Sequence, residues 1–348
     1  MKVFLGMSGG VDSAVSAHLL KQQGHEVTGV YMKNWSKNLP GMKCPWAEDL
    51  ADAKRVAVRL GLDFRVFDFE AEYKQKVVDY MITEYQKGNT PNPDIMCNQE
   101  IKFKLFADTA FEQGAEAIAT GHYAKTDQKN LLCAKDTNKD QTYFLYRISA
   151  KIIPKTFFPV GDFTKPEVKQ LAKDLNLPVA NKSESMGVCF VGEANMRDFL
   201  SEYIETKPGE IREFETNQLL GRHDGAIFYT LGQRHGLNLT AGLPYYVVNK
   251  DMSNNIVYVS RNLNHASLWQ DKVFLDDLFL RSEIDSSEPL LVRIRHRAPL
   301  VEARFDAENQ ILTFSDPQKS LTPGQSIVFY QGQICLGGGI ISPIRSAL

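Results

Sequence analysis

The sequence predicts an α/β fold in which a doubly wound parallel sheet is followed by a small central domain and a C-terminal β-barrel. Three observations predict it. Over roughly the first 120 residues, apolar strand-like runs alternate with stretches of helical periodicity, the pattern of a sheet covered on both faces. After about residue 200 the helical patterns give way to short alternating strands separated by Asn, Gly and Pro turns. A chain of 348 residues is also too long for one compact core. The expected domains are 1–200, 201–266 and 267–348.

The elements follow in order. KVFLG (2–6) is a short apolar strand, and 11–23 is a helix with Val15 and Leu19 one turn apart, ended by Gly24. HEVTGVYM (25–32) is a second strand. A helix from Trp46 aligns Leu50, Ala53, Ala57 and Leu60 on one face and stops at Gly61. DFRVFDF (63–69) is the third strand, helices cover 71–87 and 95–113, and EAIATGH (116–122) is the fourth strand. The later strands include LPYYVVNK, NNIVYVS, PLLVRIRHR and SIVFYQG.

Hydrophobic residues at 43% and charged residues at 24% are ordinary for a soluble protein, and no apolar run reaches membrane-spanning length. The opening MKVFLGM runs directly into a glycine loop, leaving no room for a signal peptide, so a cytoplasmic protein is expected. A net charge of −2 offers no overall attraction to a polyanion, so any nucleic-acid contact must come from a local patch. The five cysteines form no C-x-x-C pair, which argues against a zinc ribbon or a thioredoxin-like site. Cys44 falls in a segment expected to be mobile, and Cys133 and Cys335 sit in apolar surroundings that predict packed side chains.

GMSGGVDS (6–13) occupies the hand-over from first strand to first helix, where ligands sit in α/β sheets. A loop so poor in side chains exposes backbone N–H groups as a nest for phosphate oxygens. It is neither a Walker loop, since Val11 and Asp12 follow Gly10 where a lysine is required, nor a G-x-G-x-x-G loop. The run Ser8 to Ser13 instead resembles the signature of the ATP pyrophosphatases, which cleave ATP between its α- and β-phosphates. That resemblance implies that Gly6, Met7, Ser8, Gly9, Gly10, Val11, Asp12 and Ser13 bind ATP, with Mg2+ near Asp12, and that Met32 and Gly121, at the same sheet edge, neighbour the adenosine.

NTPNPDIMCNQEIKF (89–103) places Asp94 where an N-cap suits it and Cys97 at the third helical position, where the helix dipole favours a thiolate. Read alone, Cys97 is either a nucleophile or a buried core residue. SMGVCFVG (185–192) sets Cys189 on a glycine-flanked loop, and a core cysteine is again the alternative. Taken together the pair suggests sulfur transfer: one thiolate carries a persulfide, the other attacks its inner sulfur, and a disulfide remains.

At this point the chain resembles the bacterial tRNA-specific 2-thiouridylases, the MnmA family, nearly end to end: GMSGGVDS, TPNPDIMCNQEIKF, ATGHYA, KDQTYFLY, FPVG, MGVCFVG, YTLGQRHGL, PYYVV and TPGQSIVFYQG occur in order. The resemblance implies that the O2 of the wobble uridine 34 is adenylated and then replaced by sulfur. Cys189 would bear the persulfide, Cys97 would be the attacking thiolate, and a transient Cys97–Cys189 disulfide would form. Asn92, Pro93 and Asp94 would meet the target base, with Asp94 a cap, a base contact or a proton carrier, and Lys139, Asp140 and Gln141 would touch the tRNA. His122 reads as a proton carrier or as a satisfied histidine beside the nucleotide.

In LLVRIRHRAPL (290–300), strand alternation puts Arg293, Arg295 and Arg297 on one face at about 6–7 Å spacing, suited to successive phosphates; solubilising arginines are the alternative. The family match falls on Arg295 and His296. His296 and Ala298 stand where the family often has tyrosine and glutamine, and Met186 where a threonine is common. The partners implied are tRNA, with Lys, Glu and Gln acceptors, and a persulfide-donating carrier or cysteine desulfurase. The cofactors are ATP and Mg2+ without an iron–sulfur cluster, since closely spaced cysteine ligands are lacking. A monomer with no membrane contact is expected. Two other readings stay open: a ligase of the argininosuccinate synthase or NAD synthetase kind, with no need of paired cysteines, and a non-enzymatic tRNA-binding protein using ATP as ligand.

Overall fold

A computed structural model describes residues 1–38, 44–183, 196–239, 244–262, 264–285 and 287–343. Its first part contains β1 (Lys2–Gly6), β2 (Glu26–Lys33), β3 (Asp63–Asp68), β4 (Ala117–Thr120), a hairpin of β5 (Lys125–Thr126) and β6 (Leu131–Leu132), and β7 (Thr156–Phe157). Five of these form a wholly parallel sheet in the order β3-β2-β1-β4-β7. The chain moves outward in one direction from β1 to β3 and then crosses to the other side of β1 for β4. Such a reversal leaves a crevice beyond the carboxyl ends of the two strands flanking it. Gly6 is level with Val30 on one side and Thr120 on the other, so those ends are flush.

Side-chain alternation explains the layering. Phe4, Val30 and Ile118 point into one core, while Val3, Leu5, Ala117 and Ala119 point into the other. Helix α1 (Val11–Gln22) is buried almost all round, whereas α2 (Trp46–Leu60) buries only the stripe of Asp52, Ala53, Val56 and Ala57. Gly61 ends α2 in the left-handed conformation, φ 61°, with Leu62 N–H returning to the Ala57 carbonyl. Further helices run over 70–86 and 93–112, each containing a π-helical stretch, Lys74–Val78 and Cys97–Leu105 respectively.

Four strands, β8 (Gly209–Glu213), β9 (Leu219–His223), β10 (Tyr246–Asp251) and β11 (Ile256–Ser260), make the central sheet around Ile211, Val247, Val257 and Val259. The last six, β12 (Trp269–Leu280), β13 (Leu290–Arg293), β14 (Val301–Asp306), β15 (Ile311–Lys319), β16 (Ser326–Gln331) and β17 (Ile334–Ile341), close into a barrel through the β12–β17 pairing. A Cβ at Gly337 would overlap the Phe279 carbonyl oxygen, so closure there requires glycine.

The barrel sheet continues into the first domain, because β6 pairs antiparallel with β17, with Ile334 opposite Leu132. Arg281, the residue after β12, reinforces the junction, donating to the carbonyls of Tyr146 (2.5 Å) and Ile148 (3.2 Å). Two sequence expectations change. The strand drawn through Arg297 ends at Arg293, since a turn follows in which Arg297 has φ 63°, so the three arginines share no strand face. Cys44, expected to be mobile, is buried with its thiol 3.6 Å from the Trp35 carbonyl.

Candidate active site

The crevice at the β1/β4 reversal is a cavity of about 440 Å³. The loop 6–13 forms its floor. Met7 N–H still bonds to the Val30 carbonyl (2.8 Å), after which the chain turns, Ser13 Oγ donating to the Gly10 carbonyl (3.1 Å) and accepting from Ser8 N–H (3.3 Å). Gly10 is the N-cap of α1, and no side chain caps that terminus. The 12-residue helix therefore brings the positive end of its dipole to the cavity. Gly9 adopts φ 73°, and a Cβ on it would overlap the Asp49 carbonyl oxygen in the first turn of α2. Gly121 lies so close to α1 that a Cβ would sit 2.8 Å from Ser13 N. Every residue expected at ATP lines the cavity except Gly9, which packs behind it.

The walls are cationic. Lys102, Lys139, Lys165, Lys182 and Arg297 line the cavity, against the carboxylates of Asp12 and Asp49. Buried Lys165 reaches Asp12 Oδ1 at 2.6 Å, and the Tyr123 hydroxyl donates to the same oxygen at 2.9 Å. Lys182 bridges Asp49 (2.7 Å) and Asp52 (2.6 Å). Burial alone would raise the Asp52 carboxyl, but hydrogen bonds from Lys182 and Arg55 outweigh it and hold the group below its ordinary range. Burial, with Lys102 nearby, holds His122 well below the usual imidazole range, and its Nδ1 lies 2.8 Å from Thr120 Oγ1. His296 is likewise pushed down to about 4 by burial and by Arg297 and Arg293. Among the described residues no group of three or more His, Cys, Asp or Glu stands together as a metal site.

Lys165 and Lys182 were not anticipated from the sequence. Lys165 carries a signal in hindsight: it is the first residue of the helix Lys165–Asp174, whose start is marked by the Thr164/Glu167 capping box. A lysine there opposes the helix dipole, so another requirement must hold it.

Other candidates lie apart. The helix over 93–112 is capped by Asn92 and begins at Pro93, so Asp94 is its second residue and not its cap. Cys97 is consequently the fifth residue, beyond the first turn where the dipole acts. It is 1% exposed, packed in the core and not among the residues lining the cavity. The preceding loop is tied to the barrel, Thr90 N–H bonding to the Pro323 carbonyl (2.8 Å) and Gln325 Nε2 to the Thr90 carbonyl (2.6 Å). Cys189 and Met186 lie outside the described residues, and with them the proposed partner of Cys97.

Lys139, Gln141, His296 and Arg297 line the cavity together, but Asp140 is buried, its Oδ1 accepting from Thr142 N–H at 2.7 Å. Arg293 lies over the Tyr330 ring at 5.4 Å, Arg295 donates to the Ser320 carbonyl (2.5 Å), and Arg297 Nε to the Asn138 carbonyl (3.1 Å). The strand stripe is thus replaced by three separate anchorages.

Three family models cover the chain: a tRNA methyl transferase HUP domain over 1–193, a tRNA methyl transferase PRC-barrel domain over 197–261, and an aminomethyltransferase beta-barrel domain over 275–341. Among curated relatives, a protein of Listeria monocytogenes serotype 4b (strain CLIP80459) is 43% identical over 99% of this chain and 95% of its own length. One of Haemophilus ducreyi is 47% identical over 98% and 92%, and one of Geobacillus kaustophilus 44% over 99% and 96%. The first two are named tRNA-specific 2-thiouridylase MnmA and the third tRNA-specific 2-thiouridylase MnmA 1.

Proposed function

The chain belongs to the tRNA-specific 2-thiouridylase (MnmA) family, a family of tRNA sulfurtransferases, and we propose the following route for its reaction. The observation that carries it is the cationic cavity at the end of β1, floored by an uncapped helix N-terminus and the run Ser8 to Ser13. Five cations and a helix dipole suit a triphosphate and its departing pyrophosphate. Mg2+ arriving with the nucleotide would supply further charge neutralisation at the phosphates, with Asp12 the carboxylate of the loop that would face it.

Oxygen is a poor leaving group at C2 of a uracil. The O2 of uridine 34 therefore attacks the α-phosphorus of ATP, the bond to the β-phosphate oxygen breaks, and pyrophosphate leaves into the loop. The N3 proton is lost as O2 becomes an ester oxygen and returns when the C2=S bond forms. The terminal sulfur of a Cys189 persulfide then adds at C2 and AMP departs. The Cys97 thiolate attacks Cys189 Sγ, the S–S bond breaks, and the thiocarbonyl base is released with a Cys97–Cys189 disulfide left behind. An external dithiol resets the cysteines, and a persulfide carrier or cysteine desulfurase reloads Cys189. Asn92, Pro93 and Asp94 meet the base after it leaves its stack, while Lys139, Gln141, Arg295, His296 and Arg297 hold the RNA in a cytoplasmic, monomeric enzyme.

The test is nucleoside mass spectrometry on unmodified tRNA incubated with Mg-ATP and a protein persulfide donor, beside Cys97→Ser and Cys189→Ser. ATP-dependent 2-thiouridine from the wild type alone is the expected result. Thiolation by Cys189→Ser would overturn the persulfide route, and pyrophosphate release onto a small amine or acid without thiolation would favour the ligase chemistry.

A further inference from the structure

Lys139 and Gln141, on the loop proposed to meet tRNA, and Lys165 and Tyr123, the two donors to the Asp12 carboxylate, are joined through very few bonds. One carboxylate makes the first connection. Asp136 Oδ1 accepts the N–H groups of Asn138 and Lys139, both at 3.1 Å, which shapes the start of the loop. Its other oxygen, Oδ2, accepts Lys165 N–H at 2.9 Å, the first backbone amide of the helix Lys165–Asp174. From that same residue the buried ammonium crosses to Asp12 Oδ1 at 2.6 Å. The far end of the loop makes the second connection. Gln141 brackets the backbone of Tyr123, accepting its N–H at 2.9 Å through Oε1 and donating to its carbonyl at 2.8 Å, and the Tyr123 hydroxyl reaches the same Asp12 oxygen at 2.9 Å. Arg297 steadies the middle through the Asn138 carbonyl (3.1 Å).

From this arrangement we infer that Asp136 is a positioning residue that couples tRNA on the loop 136–141 to the phosphate end of the ATP cavity. The inference rests on the proposed tRNA contact of that loop. An RNA backbone drawing on Lys139 and Gln141 shifts the loop; Asp136 transmits the shift to the start of the helix, and the Lys165 ammonium moves relative to Asp12. Because both partners of the Asp12 oxygen are held by the loop, the charge facing the ATP phosphates depends on whether RNA is bound. Coupling of this kind is reciprocal: tRNA must change nucleotide affinity by the same factor by which nucleotide changes tRNA affinity.

The experiment measures the Kd of the full-length protein for α,β-methylene ATP with Mg2+, with and without a saturating unmodified tRNA transcript carrying uridine 34. For the wild type tRNA should tighten nucleotide binding about fivefold or more, within the usual range of coupled sites. Asp136→Asn is nearly isosteric. Its carbonyl can keep the turn at Asn138 and Lys139, but its amide then faces Lys165 N–H as a second donor, so the turn survives and the link breaks. The ratio of the two affinities should fall towards one. Asp136→Ser, whose single short acceptor serves only the turn, should behave alike and keeps the test decisive if the asparagine variant folds poorly. Lys135→Ala removes the exposed Lys135–Glu167 pair between the same two segments and should keep the wild-type ratio.

A wild-type ratio in either Asp136 variant, or loss of coupling in Lys135→Ala, would overturn the role of Asp136. Tight tRNA binding to the wild type with a ratio of one would overturn the coupling alone, whereas no tRNA binding at all would overturn it together with the function on which it rests.

Discussion

Gly9 and Gly10 are adjacent in the loop 6–13 and interchangeable to a motif search, yet the structure separates them sharply. Gly9 has φ 73°, and a Cβ there overlaps the Asp49 carbonyl oxygen; Gly10 has φ −100°, with Ser8 Oγ at 3.3 Å as the nearest neighbour of a Cβ. Alanine at position 9 costs about 1–2 kcal/mol for left-handed backbone. Pushing the first turn of α2 off the loop adds about 1–3 kcal/mol, as for other overpacking. The sum of roughly 2–5 kcal/mol is a large part of the stability of an ordinary domain. Gly10→Ala meets an allowed backbone, and the lower entropy of its unfolded chain offsets the modest crowding, for a net change within about 1 kcal/mol. Thermal unfolding without nucleotide measures both, so that no clash with ATP confuses the comparison. Gly9→Ala should lower Tm by about 4 °C or more and Gly10→Ala should change it by less than about 4 °C, taking ~2–4 °C per kcal/mol. Equal shifts would refute the assignment of the close approach to Gly9.

His296, pushed down to about 4, is neutral in the folded chain. Its contribution to stability is whole above the ordinary 6.5 and is lost as pH falls towards 4, so His296→Gln should flatten the stability profile between those values; an unchanged profile would show the ring is not buried as described. Lys250 is held down to about 8 by burial, with the Gly88 carbonyl 2.9 Å from its Nζ. Its charge is therefore a burden at pH 7 that is relieved as pH rises, and Lys250→Met should raise Tm at pH 7 with a gain that shrinks by pH 10; a lower Tm at pH 7 would contradict this. Lys139→Ala and Arg297→Ala should each reduce the slope of log Kd for tRNA against log salt by about 1, measured by filter binding, and unchanged slopes would remove them from the RNA contact.

The parallel sheet was legible because β1, β2 and β4 are apolar runs of the right length, and Gly61 marked the end of α2 by the chemistry that makes glycine a helix stop. The two-residue β7 and the hairpin β5–β6 were not, because nothing in so few residues shows a period. The arginine strand was over-extended for a related reason. Alternation continues formally through Arg297, but the positive φ of that residue is a turn that no local propensity announces. At the site, the backbone nest was readable because glycines and serines in a strand-to-helix slot have few other uses. The cations that complete it come from Lys102, Lys139, Lys165, Lys182 and Arg297, spread over nearly 200 positions of a chain with net charge −2. Only folding brings such residues together, and a whole-chain charge cannot report it.

The barrel is part of the same physical unit as the cavity beyond β1, and this has a consequence that can be measured. Val328, Tyr330 and Cys335 of the barrel belong to one buried cluster with Phe4, Cys97, Phe106, Leu131 and Tyr143. The β6–β17 pairing fixes Leu131 opposite Cys335, and a slip of one residue would turn every side chain of β6 to the other face. Tyr143 hydroxyl bonds to the Ser326 carbonyl at 2.9 Å, and Tyr146 hydroxyl lies 3.1 Å from Ser326 Oγ and accepts from Arg147 Nη1 at 3.4 Å, so Tyr143 depends on the barrel for its polar partner and Tyr146 draws one of two from it. Removing residues 267–348 therefore exposes an apolar face and strands the Tyr143 phenol, an unsatisfied group costing about 1–3 kcal/mol beyond the lost burial. The fragment 1–266 should bind the dye ANS, lose its near-ultraviolet circular dichroism and fail to bind Mg-ATP. A fragment that unfolds cooperatively and binds Mg-ATP with the affinity of the whole chain would mean that the shared sheet is a contact of convenience, and that the cavity owes nothing to the barrel.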